Sequence, residues 1–136
     1  MRHVINLVGA LLGLAFVAFG AMFLFDLMPK QDPPPEGSTI AHFMAAFGPT
    51  GWMTLVKICE LTGGVLTAIP RTRCLGLLLL GPVLVNIVAF HFFASGDGLT
   101  DPMLIALVAM AVFLLVAEWR AFAFLVHRPL PGTTRA

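Results

Sequence analysis

Residues Cys74 to Ala94 read CLGLLLLGPVLVNIVAFHFFA, a run with no charged side chain and two strongly polar ones, Asn86 and His91. A helix rises about 1.5 Å per residue, so a run of this length spans the roughly 30 Å of hydrocarbon in a bilayer. Three more stretches of the same character surround it, from Val4 to Met28, from Gly51 to Ile69 and from Pro102 to Val126. Across the 136 residues, 59% are hydrophobic and 11% charged, and the mean hydropathy is +0.96. Soluble domains run at about 45–50% apolar and about 25% charged, and a single small core has no room for this excess. Lipid is the solvent that such a composition fits.

Lipid offers the backbone no hydrogen-bond partner, so the segments must be helices that satisfy themselves. The expected fold is all-α, one integral membrane four-helix bundle over residues 1–136, with an outer loop at residues 29–50. Short connectors make the second, third and fourth helices antiparallel neighbours. The first stretch reads as a retained span. Its apolar part exceeds the 7–15 residues usual in a secretion signal, and no small-x-small site closes it before Pro29.

Orientation follows from the arginines. Arg2, Arg71, Arg73, Arg120, Arg128 and Arg135 fall on one side of an even number of crossings, whereas Asp26, Lys30, Asp32, Glu36, Asp97 and Asp101 fall on the other. Cytoplasmic ends are richer in Lys and Arg, which places both termini in the cytoplasm of a multi-pass cell (inner) membrane protein. The outer loop opens with Pro33-Pro34-Pro35, stiff and extended, after which Ser38 or Thr39 can cap a short helix. In that helix Ile40, Phe43, Met44 and Phe47 share one apolar face, the pattern of a segment lying on the membrane surface or folded over the bundle mouth.

Nucleic acid is excluded as a partner by a net charge of +1 and the lack of a basic block. Cys59 and Cys74 have no CxxC or Cys/His spacing, and no metal site is expected. Walker, HExxH, GxSxG and Rossmann signatures are missing. A bis-histidine haem is disfavoured, since His91 is the one histidine well inside a span and only His42, in the outer loop, offers a second ligand.

Polar groups inside a span face the bundle interior and are the default functional candidates. Here they are Lys57, Glu60, Asn86 and His91. Lys57 and Glu60 are three apart on one helical face. Counted from the outer helix ends, Lys57 lies roughly 9 Å deep, Glu60 roughly 13 Å, Asn86 roughly 12 Å and His91 roughly 5 Å. One outward-opening polar pocket is expected, with Asp26 and His42 at its rim. Gly9 and Gly13 form a GxxxG, with Gly20 a heptad on, and with Gly63 and Gly64 they mark close helix packing. Pro82 cannot donate to the carbonyl of Leu78 and predicts a kink. Glu118, Trp119 and Arg120 read as snorkelling and aromatic-belt residues at the inner end of the fourth helix.

The run from Lys57 to Gly64 with its Glu-x-x-Gly-Gly, and the run from Gly81 to His91 with its Asn-Ile-x-x-Phe-His, resemble the DoxX and DoxX-like family of small four-helix membrane proteins. The resemblance extends to about Arg128. It implies a four-helix membrane fold and functional residues at Lys57, Glu60, Asn86 and His91, and it points to membrane redox complexes or, in related proteins, to escort of other membrane proteins. Two classes of function fit. In the first, the chain is a redox-associated membrane subunit whose pocket binds a quinone or similar amphiphile, with Lys57, Asn86 or His91 donating to its carbonyl and Glu60 relaying a proton, the redox cofactor residing on a partner protein. In the second it is a non-enzymatic chaperone, adaptor or accessory subunit, alone or as a homo-oligomer, and the polar cluster is architectural. The residues specify no catalytic assembly, and a continuous polar path for transport is not evident.

Overall fold

A computed structural model of the chain describes residues 1–29, 32–96 and 100–126. Lys30, Asp97, Arg128 and Arg135, which entered the orientation argument above, lie outside the described residues. All regular structure among the described residues is helical: α1 (Arg2–Leu24), α2 (Thr39–Phe47), α3 (Trp52–Ala68), α4 (Arg73–Phe90), α5 (Pro102–Ala117) and α6 (Trp119–Val126). Arg2–Leu24 and Arg73–Ser95, which is α4 with the turn that follows it, are long and apolar enough to cross a membrane, and Pro102–Ala117 is a shorter apolar helix.

The four long helices close a ring around one core, α1 against α3, α3 against α4, α4 against α5 and α5 back against α1. Phe16, Leu12, Leu77, Leu80, Leu84, Leu107, Ala111 and Leu114 fill its centre. The α1–α3 pair is the most extensive and the α4–α5 pair the loosest of the four. Glycine explains the first of these. A methyl group on Gly13 would collide with the Gly64 carbonyl and with Ala68, and one on Gly64 would collide with the Gly13 carbonyl. Two helix backbones approach this closely only where neither carries a side chain.

The helix ends depart from expectation for identifiable reasons. The first helix stops at Leu24, not Met28, because its last carbonyls are taken by a Schellman turn: the Asp26 amide donates to Phe23 at 3.2 Å and the Leu27 amide to Met22 at 2.8 Å. Asp26 occupies the left-handed position, at φ 55°. The second helix ends at Ala68, where Ile69 turns extended ahead of Pro70 and the Thr72 hydroxyl donates to the free Leu66 carbonyl at 2.9 Å. The third runs helical through Pro82, and its departure from α geometry comes later, in a π-helical turn at His91–Ser95. The Ser95 hydroxyl donates to the His91 carbonyl in that turn at 2.8 Å.

The fourth helix is not continuous to Val126. It breaks at Glu118, at φ −99° and ψ 11°, and restarts as α6. Ser38 caps α2 by accepting from the Ala41 amide at 3.2 Å. This short helix leans on the bundle through Phe43, whose ring centroid lies 5.0 Å from that of Phe90 and 4.7 Å from that of Phe47, and Phe47 in turn meets Trp52 at 6.0 Å. This segment is therefore a lid over the α3 and α4 ends.

Candidate functional site

Each long helix buries one stripe, and polar residues sit in phase with it. On α3 the buried positions are Glu60, Gly63, Gly64 and Thr67, spaced three, one and three apart along a single face. Glu60 is 2% exposed, and both its oxygens accept from Lys57 Nζ, at 3.0 Å and 2.8 Å. The Lys57 side chain, 19% exposed, also lies 5.7 Å from the centre of the Phe23 ring, a cation–π contact. A carboxylate this deep needs such a partner, because desolvation of an unpaired charge costs several kcal/mol.

Two cavities meet at this pair. One, of about 230 Å³, lies beneath the lid between Phe43, Met44, Trp52 and Phe90. The other, of about 170 Å³, lies inside the helix ring between Phe16 and Phe19 of α1 and Leu104 and Leu107 of α5. Lys57, Glu60, Ile87 and His91 line both. His91 Nδ1 is 2.9 Å from the Ile87 carbonyl. A carbonyl only accepts, so Nδ1 carries the proton and Nε2 of the neutral ring keeps its lone pair. The wall between the cavities thus offers an amine, a carboxyl group and an imidazole in apolar surroundings, a set able to bind a polar head and to move a proton to or from it.

The other predicted site residues are distributed differently. Asn86 is exposed and lines only the cavity beneath the lid. His42 is exposed and lines neither cavity, and Asp26 likewise lines neither, serving the end of α1 instead. Besides Glu60, a second acid does reach the inner cavity, Asp101, which caps α5 by accepting from the Met103 amide at 2.9 Å. Among the described residues no three His, Cys, Asp or Glu side chains converge as a metal site.

A second polar cluster occupies the opposite end of the ring and was not anticipated. Arg73, expected as a loop charge, is 1% exposed. Its guanidinium donates to the Thr67 carbonyl at 3.3 Å, to Asn6 Oδ1 at 3.0 Å and to Glu118 Oε1 at 3.1 Å, so it ties α1 and α3 to the break after α5. Gly9 leaves the space that the guanidinium fills. Glu118 is consequently an ion-pair partner and not a snorkelling surface residue. Helical phase held the signal: Arg73, Gly76, Leu77, Leu80 and Leu84 are all buried on one face of α4, and Glu118 follows Leu104, Leu107, Ala111 and Leu114 on α5.

Comparison of the chain with protein-family models, with curated proteins and with solved structures gives no match.

Proposed function

We propose that this chain is a DoxX-like integral membrane protein that crosses the bilayer four times with both termini cytoplasmic. We propose further that it binds a quinone or similar small amphiphile at the wall formed by Lys57, Glu60 and His91, as a redox-associated subunit. Burial supports the membrane reading. The core helix of a water-soluble protein is mostly covered, whereas the most apolar stretches of Arg2–Leu24 and Arg73–Ser95 are only 28% and 17% buried. Large apolar side chains such as Leu11, Leu78, Val85, Ile105 and Val116 face outward. In water these faces would be a severe aggregation liability, and in hydrocarbon they are at no disadvantage. Arg2, Arg71 and Arg120 stand at one end of the ring and Asp26 and Asp101 at the other, which supports the orientation. Arg73 is withdrawn from that charge count by its burial.

The observation that carries the ligand reading is the shared wall: three ionisable side chains between two apolar cavities, at the membrane end that the lid covers. A quinone has the matching shape, a flat ring with carbonyls able to accept from Lys57. The electron-transfer cofactor would belong to a partner protein. Purified protein extracted with organic solvent is expected to release a quinone, and Glu60→Gln combined with His91→Ala to release at least tenfold less, by about the 1.4 kcal/mol that a factor of ten represents. Equal retention by the variant, or none in either, overturns the reading. One observation favours the non-enzymatic alternative, that Lys57 and Glu60 already satisfy each other. On that view a partner membrane protein co-purifies and no quinone is found.

A further inference from the structure

The loosest interface in the ring, between α4 and α5, carries an apolar groove in two connected parts. The part nearer the middle of the helices is about 300 Å³ and runs from Leu77 and Leu115 towards Val88, and the other, about 550 Å³, continues past Val108 to Leu104. Val88, Val108 and Val112 line both parts. Among the lining residues none is charged or carries a polar side chain. Leu104 ends this groove and also lines the inner cavity that holds Lys57, Glu60 and His91. Polar cavity and apolar groove are therefore on either side of one leucine side chain. Midway along, Gly81 leaves the groove open: a methyl group there would meet nothing within 4 Å, in contrast to Gly9, Gly13, Gly63 and Gly64, which all lie against neighbours.

From this adjacency across Leu104 we infer that the groove holds the apolar tail of the same amphiphile whose head sits against Lys57, Glu60 and His91, so that the ligand class is a polar ring bearing a long hydrocarbon chain. The inference rests on the ligand reading proposed above. Inside a bilayer a chain gains no hydrophobic energy by leaving lipid, only packing contacts, so the groove orients the tail and adds modest affinity. Head binding supplies the anchor.

The test uses the full chain in phosphatidylcholine nanodiscs and a benzoquinone whose ten-carbon tail ends in a photoreactive diazirine. Irradiation is expected to label residues of α4 and α5 along the groove, with excess unlabelled tailed quinone competing. Val112→Phe, which adds bulk at a half-exposed position that lines both parts of the groove, should lower that labelling about fivefold, a packing-scale effect. Glu60→Gln with His91→Ala should lower it as well, since the tail is held by its head. Label spread evenly over the outward faces and insensitive to competitor, or groove label indifferent to the head-site variant, overturns the inference. A parallel titration with the same ring lacking a tail, read by quenching of Trp52 in a Trp119→Phe background, separates the two claims. Quenching without groove label leaves the head site standing and removes the tail groove, whereas no quenching removes both.

Discussion

The two polar clusters of this molecule lie at different levels of the ring, one at the middle of α3 and one at its end, and are built in opposite ways. Lys57 and Glu60 belong to one helix, three residues apart, and neutralise each other locally. Arg73 reaches Asn6, Thr67 and Glu118, residues distant in sequence, and fills the space that Gly9 leaves. Empty volume adjoins the first cluster, whereas the second is packed shut on the side of α1. A buried charge that ties several elements together and leaves no room is a structural bolt. One that is paired within its own turn, beside cavities, contributes little to holding helices together and remains available to a ligand.

The contrast is broken most directly at Arg73. Arg73→Met removes three donors and leaves Glu118 without its partner, so we expect a loss of about 3 kcal/mol, the scale for breaking a buried pair. Thermal unfolding in detergent, followed by circular dichroism, reads it, and a melting temperature unchanged from wild type would dissolve the distinction between the clusters. The complementary change removes both members of the outer pair. Lys57→Met with Glu60→Met leaves no orphaned charge, and the stability cost is expected to stay below about 1 kcal/mol. Quinone retention should nonetheless be lost, and a double variant that unfolds as readily as Arg73→Met would make the outer pair a bolt too. The smallest effect belongs to a residue in neither cluster. Asp26→Gly relieves a left-handed backbone position and should stabilise the fold by about 0.5 kcal/mol without altering ligand binding. A binding defect in that variant would return Asp26 to the site.

The all-helical character of the described residues is legible in the long apolar runs, because a helix satisfies its own backbone wherever such a run is buried or in lipid. The same holds for elements governed by local rules: Ser38 as a helix cap, the Ile40, Phe43, Met44 and Phe47 face, and the Lys57–Glu60 spacing. What escaped depends on tertiary contacts or on direction around a helix. No glycine or proline interrupts the run from Ala117 to Val126, and the break at Glu118 coincides with a hydrogen bond to a residue 45 positions away. Depth arithmetic placed Asn86 level with Glu60 but said nothing of azimuth, and two residues beyond buried Leu84 the helix has turned about 200°. That rotation leaves Asn86 exposed. Arg73 was misplaced by a rule about loop charges, although its phase with Gly76, Leu77 and Leu80 marks it as inward.

If the chain crosses a bilayer four times as proposed, halting α5 at Ala117 has a consequence for the lipid around it. Sixteen residues span about 24 Å, several ångströms less than the hydrocarbon of an average membrane. Under the four-crossing reading, lipids beside α5 must shorten their chains to meet it, while α1, with 23 residues, has to tilt. On that same reading the molecule would be matched to a thin membrane and would carry one face around which acyl chains are compressed. The loosely packed α4–α5 seam lies on that face.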